Sequence, residues 1–389
     1  MSPETTLVLT LNAGSSSIKF ALYGAADEPR EEVTGQVDAL GDEAVLTLTA
    51  NNAEKTRTEL GPTDHAAAVE AILEALAPHM AGRAIAGVGH RVVHGGPDLD
   101  APVRLDAAMM ARLEELVPLA PLHQPHNLAA IRAGRGAFPD AVQVAAFDTA
   151  FHRGKPWVAD TYALPRDYYA RGIRRYGFHG LSYDYIAGVL AREYPDLARA
   201  RVVVAHLGNG ASLCALSGGR SIATSMGFTA LDGLAMGTRP GRIDPGVLLH
   251  LMQEDGMDAA ALTRLLYHES GLKGLSGISH DMRRLLASDS EKAAEAIDYY
   301  VYTLAREIAA MTASLGGLDA LVFTGGIGEN AAPIRARALE RLGFLGLAID
   351  PAANAENAAK IHAGACPILV IPTDEERIIA RATVKELAP

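Results

Sequence analysis

The sequence contains few cysteines and few aromatic residues. Its 389 residues include two cysteines, Cys214 and Cys366, and one Trp, and aromatic residues make up 5% of the chain. Two cysteines in separate apolar, strand-like runs fit neither a zinc site nor a redox motif, so we expect two buried thiols in a reducing cytosol. The first residues, MSPETTLVLTLNAG, lack the basic start and long apolar region of a secretory signal, so we expect none.

Positive charge is also in the minority. The chain has 35 Lys and Arg against 46 Asp and Glu, a formal net charge of −11. Proteins that bind nucleic acid or membrane surfaces are usually basic, so we expect neither partner. The longest weakly charged stretch, residues 308–328, contains Asp319 and five glycines, which favours a strand and a turn over a membrane span. An acidic protein that handles anions must concentrate its positive charge locally.

The length and the order of predicted elements indicate two related α/β halves. A chain of 389 residues exceeds the size of one hydrophobic core, while 49% apolar and 21% charged residues are ordinary for a globular protein. A strand, a turn of small residues and a second strand occur near Asn12 and again near Asn209, each followed by a further strand and helices. We place the boundary near residue 150, where a loop rich in Arg, Tyr and Pro begins.

Hydrophobic patterning predicts the individual elements. The predicted strands are 6–11, 18–23, 44–49, 85–93, 142–147, 201–206, 211–216, 220–224, 321–324 and 368–371. The predicted helices are 65–77, 107–117, 245–254, 258–268, 290–315, 334–342 and 375–387. Asp64 and Asp106 should cap the first two helices, and Pro78 should end the first.

Glycine-rich or small-residue turns occur at three of the predicted strand ends, at 12–19 (NAGSSSIK), 206–210 (HLGNG) and 324–330 (TGGIGEN). Backbone N–H groups in such turns can hold phosphate oxygens, and Lys19 adds a positive charge to the first. The first turn lacks the Gly-Lys-Ser/Thr ending of a Walker A loop, and a Ser-rich hairpin is the alternative. The third has neither the spacing nor the context of a dinucleotide fingerprint, but it follows a strand, where nucleotides bind in α/β folds. Together the turns indicate a phosphate-binding protein.

Two arginines lie among turn-forming residues, Arg91 in GHRVVHGG and Arg239 in MGTRPGR. A planar guanidinium suits carboxylate and phosphoryl oxygens, and the alternative for each is a surface ion pair. Histidines are frequent, at positions 90, 94, 123, 126, 152, 179 and 206. A zinc site is disfavoured because HRVVH reads as a strand and lacks the Glu of a zinc-protease helix. We expect most of these histidines to be hydrogen-bonding residues around an anion site.

These motifs, in this order and over essentially the whole chain, resemble those of the acetate kinases, within the superfamily of acetate and sugar kinases, heat-shock 70 chaperones and actin. The matching segments are NAGSSSIK, GHRVVHGG, PLH, FDTAFH, RYGFHG, HLGNG, MGTR, SHDMR, FTGGIGEN and TDEE. The resemblance implies an α/β fold of two duplicated domains, each a mixed sheet flanked by helices (actin-like ATPase, ribonuclease H-like), with a central cleft. Residues 1–150, completed by a helix at about 375–389, would form the N-terminal domain, and 151–374 the C-terminal nucleotide-binding domain.

The resemblance also implies the reaction and its residues. ATP and acetate would give ADP and acetyl phosphate reversibly, with Mg²⁺ or Mn²⁺, in a cytoplasmic homodimer. The metal site would include Asn12 and Glu375. The catalytic residues would be Asp148 together with His179 and Arg239, which would stabilise the transition state. The acyl site would be Arg91, Val93, Leu122 and Phe178. The ATP site would be Lys19, His206, Leu207, Gly208, Asn209, Gly210, Asp281, Met282, Arg283, Gly326, Ile327, Gly328, Glu329 and Asn330.

The chemistry of acetate bears on the role of Asp148. Phosphoryl transfer depends on positioning and charge neutralisation more than on covalent chemistry. Acetate is already ionised near pH 7, because a carboxyl pKa is about 4. The forward reaction therefore needs no general base, and we expect Asp148 to orient metal-bound water or an arginine rather than to abstract a proton.

Departures from the family pattern keep alternatives open. Ala230 stands where the family usually has Pro near the acyl pocket, and Pro240-Gly241-Arg242 follows MGTR. One methylene changes discrimination by only about 1–3 kcal/mol, so a propionate kinase of the same mechanism is the nearest alternative. A nucleotide-dependent switch protein without catalysis is a second alternative, although a switch needs no acyl-anion clamp of Arg91, His179 and Arg239. A zinc hydrolase is a remote third.

Overall fold

The protein is described from a computed structural model that covers residues 6–14, 16–50 and 53–387. Ser15 of the predicted turn at 12–19 lies outside these residues. The chain divides into two compact units. The first unit is Met1–Phe151 together with Asp374–Pro389, and the second is His152–Thr373. Across the described ranges, no helix is both long enough and apolar enough to cross a membrane.

The strands are, in chain order, β1 (Thr6–Ala13), β2 (Ser17–Gly24), β3 (Arg30–Asp38), β4 (Gly41–Ala50), β5 (Thr56–Thr63), β6 (Ala84–Val92), β7 (Val103–Arg104), β8 (Val142–Phe147), β9 (Arg201–Leu207), β10 (Ala211–Ser217), β11 (Arg220–Thr224), β12 (Ala320–Thr324) and β13 (Ile368–Val370). Two mixed sheets result, one in each unit. The sheet of the first unit has the order β5-β4-β3-β2-β1-β6-β8-β7, and that of the second β11-β10-β9-β12-β13.

The helices are α1 (His65–Met80), α2 (Ala107–Glu115), α3 (Gln124–Ala137), α4 (Trp157–Asp160), α5 (Arg166–Ala170), α6 (Gly180–Glu193), α7 (Pro245–Gln253), α8 (Ala259–Arg264), α9 (Gly271–Ser276), α10 (Met282–Leu286), α11 (Glu291–Leu315), α12 (Gly325–Asn330), α13 (Ala332–Glu340), α14 (Pro351–Ala355) and α15 (Glu375–Leu387). A π-helical turn, Leu265–Glu269, continues α8, and short 3-10 segments lie at Val117–Leu119, Ala150–His152 and Gly343–Leu345.

In the first unit, parallel strands place three chain segments at one edge of the sheet. β1 pairs with β6, and β6 pairs with β8, all in parallel, so their carboxyl ends lie side by side. On one face, α1 packs on a core that includes Leu9, Leu11 and Ile72. On the other, Ala380 of α15 packs against Val8 of β1. The C-terminal helix therefore belongs to the first unit and brings its first residues to the sheet.

In the second unit, β9 and β12 are parallel and central, and β10 and β11 form an antiparallel extension. The strands are apolar over most of their length, which fits a sheet covered on both faces. The long helix α11 buries a stripe that includes Ile297, Leu304 and Ile308. The strands β9 and β12 end at His206–Leu207 and Thr324, so both glycine-rich turns of this unit leave the same edge of the sheet.

The structure corrects three predictions from the sequence. Helix α1 does not end at Pro78 but continues to Met80, because a proline in the last turn removes only one intrahelical hydrogen bond; Ala81, with φ 52°, ends it. The segment GGIGEN is not an open turn but the short helix α12. Cys214 is buried as predicted, and burial raises the pKa of its thiol to about 12, but Cys366 is only half-buried.

Candidate active site

The carboxyl edge of the first sheet carries Asn12, Arg91 and Asp148, from β1, β6 and the residue after β8. The Asp148 N–H donates to the Val92 carbonyl (3.0 Å), which fixes the turn out of β8 against the end of β6. Lys19 stands opposite Asn12 in the antiparallel pair of β1 and β2, and it is exposed. The strand order therefore gathers residues that are far apart in the sequence.

Arg91 and Asp148 form a bidentate ion pair. Nε of Arg91 donates to Oδ1 (3.0 Å) and Oδ2 (3.2 Å) of Asp148, and Nη2 donates to Oδ2 (2.5 Å). Asp148 is 1% exposed, and the Arg91 side chain is 19% exposed. Burial opposes the charge of the guanidinium, but the attraction and hydrogen bonds of Asp148 outweigh it and raise the pKa of Arg91. The guanidinium of Arg91 is therefore held in its charged form.

A second set of contacts links this pair to the acidic start of α15. Nη1 of Arg91 donates to Oδ1 of Asn12 (3.2 Å), and Nδ2 of Asn12 donates to Oε1 of Glu376 (3.2 Å). Burial raises the pKa of the Glu375 carboxyl to about 7, with Arg91 opposing the shift and Asp148 adding to it. Glu376 was not predicted as a site residue, and its only sequence signal is its place beside Glu375.

This donor set suits a hard divalent cation that retains water or substrate ligands. Asn12, Glu375 and Glu376 offer amide and carboxylate oxygens, the ligands that Mg²⁺ prefers. Among the described residues, no group of three or more His, Cys, Asp or Glu side chains is arranged to hold a metal ion by itself. Mg²⁺ commonly relies on one or two carboxylates, waters and substrate phosphates, and this arrangement fits that pattern.

The segment after β6 is fastened to the start of α3. Oδ1 of buried Asn127 accepts from the Val93 N–H (2.9 Å), while its Nδ2 donates to the Ala13 carbonyl (2.7 Å). Nε2 of Gln124 donates to the His94 carbonyl (3.2 Å). These bonds fasten the segment with buried Val93 to the start of α3, which follows the turn that contains half-buried Leu122. Asn127 and Gln124, which fasten this segment, were missed because the sequence gives no signal for them.

In the second unit, His179 precedes α6 in a left-handed conformation (φ 58°, ψ 25°), which costs about 1 kcal/mol for a residue with a Cβ. The preceding segment is held from inside the unit. Nζ of buried Lys155 donates to the carbonyls of Arg175 (2.8 Å) and Tyr176 (3.0 Å). Nε2 of His152 donates to the carbonyl of Phe178 (3.0 Å), whose side chain is buried. Such fixed carbonyls explain how the strained backbone persists.

His179, Arg239 and the HLGNG turn meet at Gly210. A Cβ atom on Gly210 would lie 2.8 Å from Nη2 of Arg239 and 3.3 Å from Nε2 of His179. The absence of a side chain at Gly210 therefore lets Arg239 and His179 pack closely against the backbone of the turn. Nη1 of Arg239 donates to the Ala230 carbonyl (2.7 Å), and the rings of His179 and His206 stack at 4.2 Å. A guanidinium and two imidazole rings thus lie together at this turn.

A cavity of about 470 Å³ lies in the second unit, beside the turn that contains Gly208. Its lining includes eight residues of the predicted ATP site: Gly208, Asn209, Asp281, Met282, Arg283, Gly326, Ile327 and Asn330. Leu286, Ala331 and Pro333 add apolar surface that the sequence did not indicate. Asp281 caps α10 and pairs with Arg283 (2.7 Å), whose hydrogen bond lowers the Asp281 pKa to about 2.

The other predicted ATP-site residues do not line this cavity. His206, Leu207, Gly210 and Gly328 belong to the strand end, the turn and the helix around it. The carboxylate of Glu329 accepts from the N–H groups of Gly325 (2.8 Å) and Thr373 (3.2 Å), so it fixes the backbone around α12.

Comparisons with known proteins identify the family. The profile of the acetokinase family matches residues 7–381. The chain belongs to the acetokinase family. It is 50% identical over 387 residues to the acetate kinase of Nitrobacter hamburgensis (98% of this chain, 96% of that protein) and 51% identical over 391 residues to that of Methylocella silvestris (97% of each).

Comparison with solved structures leads to the same family. The chain superposes on a propionate kinase from Francisella tularensis with a TM-score of 0.92 (37% identity; 98% of this chain, 99% of that one). It superposes on Porphyromonas gingivalis acetate kinase with a TM-score of 0.88 (38% identity; 98% and 100%). The predicted fold class, mixed sheets flanked by helices in the actin-like fold, is confirmed.

The activity of the chain follows from its family membership. The chain has acetate kinase activity, its substrates are the small molecules acetate and ATP, and a divalent metal ion takes part. Neither the propionate kinase nor the switch-protein alternative is favoured, since the relatives at about 50% identity are named acetate kinases.

Proposed function

We propose that acetate binds at Arg91 and that one carboxylate oxygen attacks the γ-phosphorus of ATP in line, giving acetyl phosphate and ADP reversibly. The new oxygen–phosphorus bond forms as the bond to the β,γ-bridging oxygen breaks, and its electron pair leaves on ADP. The observation that carries the proposal is the anchored guanidinium of Arg91. A guanidinium has five N–H donors. Asp148 and Asn12 engage Nε and both terminal nitrogens, and one N–H on each terminal nitrogen is not used by a described residue.

Asp148 acts through Arg91 in this proposal. Acetate needs no deprotonation at neutral pH, because the pKa of a carboxylic acid is about 4. The buried carboxylate instead holds the planar guanidinium in a fixed orientation. An oriented cation lowers the barrier by neutralising charge without reorganisation during the reaction. The role expected from the sequence, an arginine-orienting residue rather than a base, is thus supported by contact.

His179 and Arg239 are the proposed donors to the transferring phosphoryl group. Both bring nitrogen atoms close to the backbone of the glycine-rich turn at Gly210. Charge in the transition state spreads over the three equatorial oxygens, so a donor pair at fixed positions stabilises it. Phe178, just before His179, is the remaining proposed acyl-site residue. The cavity lined by Met282, Ile327 and Leu286 is the proposed adenosine site.

Mg²⁺, or Mn²⁺ in its place, is the proposed metal, with Asn12 and Glu375 as the residues that hold it. When bound, the ion would neutralise phosphate oxygens of ATP. Lys19, exposed opposite Asn12, would add charge for the ATP phosphates.

Acyl-phosphate formation trapped with hydroxylamine tests the function. We expect the highest kcat/KM for acetate among acetate, propionate and butyrate, with strict dependence on ATP and Mg²⁺. Arg91→Ala should lower kcat/KM at least about 100-fold, the scale of losing one stabilising donor. Arg201→Ala is the control, since Arg201 pairs with Asp319 at the opposite ends of β9 and β12 and should leave turnover unchanged. A preference for propionate, or near-wild-type turnover of Arg91→Ala, would contradict the assignment.

We also propose a cytoplasmic homodimer. Helix α7, all of which is described, buries none of its residues although most are apolar. Val247, Leu249 and Met252 are 43%, 57% and 48% exposed, and a second copy would cover such a face. Light scattering should give twice the chain mass for the wild type and a monomer for Leu249→Asp; a monomeric wild type would refute the dimer.

A further inference from the structure

The two stacked histidines of the second unit are each held by a buried serine through the same ring nitrogen. Nδ1 of His206 lies 2.8 Å from Oγ of Ser182, and Nδ1 of His179 lies 2.8 Å from Oγ of Ser212. Both serines are fully buried. The Nε2 atom of His179 lies near Gly210, 3.3 Å from where a Cβ of that residue would stand. The hydrogen bonds at Nδ1 therefore decide what Nε2 offers to an anion there.

Tyr183 extends the contact at His179. Its hydroxyl lies 2.5 Å from Oγ of Ser212, and its ring is fully buried, edge-on to the ring of His152 at 5.5 Å. Tyr183 lies in the first turn of α6, directly after Ser182. Ser212 lies on β10. The side chains form a continuous path from Tyr183 through Ser212 to His179.

The number of available protons decides which group donates at each hydrogen bond of the path. A serine hydroxyl has one O–H to donate and can also accept, whereas a neutral imidazole has one donor and one acceptor nitrogen. When Tyr183 donates to Ser212 and Ser212 donates to Nδ1 of His179, every hydroxyl in the path is used once. His179 then carries its proton on Nε2.

We propose that Tyr183 and Ser212 form a hydrogen-bond relay that fixes the tautomer and ring orientation of His179, so that Nε2–H points at the transferring phosphoryl group. The relay rests on the role proposed for His179 in phosphoryl transfer. Tyr183 and Ser212 are positioning residues, because both act through His179. A fixed tautomer keeps the donor in place before the transition state forms, which is the condition under which a hydrogen bond accelerates transfer.

A purely structural role makes a different prediction. If Tyr183 only fills space in the core, Tyr183→Phe keeps the ring and its volume and should leave kcat unchanged. If the relay operates, the same substitution removes the donor to Ser212. Tyr300 is a matched control, since its ring is buried in the same unit and its hydroxyl has no hydrogen-bond partner among the described residues. Tyr300→Phe should leave kcat and KM unchanged.

A double-mutant cycle in the hydroxylamine assay tests the relay. We expect Tyr183→Phe to lower kcat about tenfold, the effect of losing one ordinary hydrogen bond, with KM for acetate and for ATP within about twofold of the wild type. Ser212→Ala should lower kcat about 10- to 100-fold, as losing an orienting hydrogen-bond partner does elsewhere. The double variant should be no slower than Ser212→Ala, because Tyr183 acts only through Ser212. Ser212→Thr, which keeps the hydroxyl, should restore part of the rate.

The outcomes separate the relay from the proposed function. Wild-type kcat in Tyr183→Phe, or multiplicative losses in the double variant, would overturn the relay. His179→Ala run in parallel tests the function: a near-wild-type rate there would refute the role of His179 itself. A low rate in His179→Ala with a wild-type rate in Tyr183→Phe refutes the relay alone. Circular dichroism and ATP affinity of each variant check that it is folded.

Discussion

The ion pair of Arg91 and Asp148 allows a decisive substitution, Asp148→Asn. The asparagine keeps the shape of the side chain and one acceptor oxygen, but it removes the negative charge that anchors the guanidinium through three hydrogen bonds. If Asp148 orients Arg91, the variant should bind acetate less well and turn over slowly at every pH. If Asp148 were a general base, an ionisation that limits the wild type should disappear from the pH–rate profile.

The loss of stability expected for Asp148→Asn follows from the burial of the ion pair. Breaking a buried ion pair costs about 3–5 kcal/mol when the other charge stays buried. The Arg91 side chain is 19% exposed, and asparagine still accepts one hydrogen bond, so we expect a loss of about 2–3 kcal/mol in the free energy of unfolding. That corresponds to a fall in Tm of about 5–10 °C. Loss of an oriented donor should lower kcat/KM about 100-fold.

The assay is acetyl phosphate formation from pH 5.5 to 9, with Tm measured on the same samples. Asp319→Asn is the control, because Asp319 also pairs with an arginine, Arg201 (2.6 Å), but lies at the far ends of the strands of the second sheet. It should cost stability and leave kcat/KM unchanged. A profile of unaltered shape and lowered height supports orientation. Loss of one ionisation from the pH–rate profile, or wild-type activity in Asp148→Asn, would refute the role of Asp148 in orienting Arg91.

Other predictions concern the pH dependence of stability, metal binding and the packing at Gly210. Burial lowers the pKa of His152 to about 3 and that of His90 to about 4. Unfolding therefore takes up protons below pH 6.5, so the free energy of unfolding measured in urea should be highest above pH 6.5 and should fall toward pH 4. The fall should be less steep in His90→Gln. Because the Glu375 pKa is raised to about 7, Mg²⁺ binding at pH 7 should release protons, and calorimetric enthalpies should vary with the buffer; equal enthalpies would contradict this. Gly210→Ala should fold but lose turnover at least about 100-fold, since its Cβ would meet Arg239 and His179.

Elements with strong local signals were predicted closely from the sequence. The apolar runs at β8 and β11 and the helix α15 have the predicted bounds. Asp64 and Asp106 cap α1 and α2 through their side chains, as expected. These elements carry their own start and stop signals, so nearby residues suffice to define them.

Elements that depend on distant neighbours were missed. In β3 the inward positions are Val33, Gly35 and Val37, and the glycine interrupts the apolar alternation. A Cβ at Gly35 would lie 2.4 Å from Cζ of Phe20, so the aromatic ring of β2 takes the space of the missing side chain. Helix α6 was missed because it starts at Gly180 after the left-handed His179, and neither residue is a usual helix start. In both cases the missing information lies in another part of the chain.

The same distinction applies to the site. Sequence motifs gave the residue types at the strand ends, and they left Arg91 open to two interpretations, an anion-binding group or an ion pair. In the structure, Arg91 is paired with an aspartate 57 positions away and still has N–H groups that no described residue uses. His179 is likewise hydrogen-bonded to Ser212, 33 positions away. A side chain's chemistry is set by the partner that orients it, and that partner comes from the fold. The substitutions most informative about mechanism are therefore at Asp148 and Ser212, which contact the residues proposed to bind the substrate.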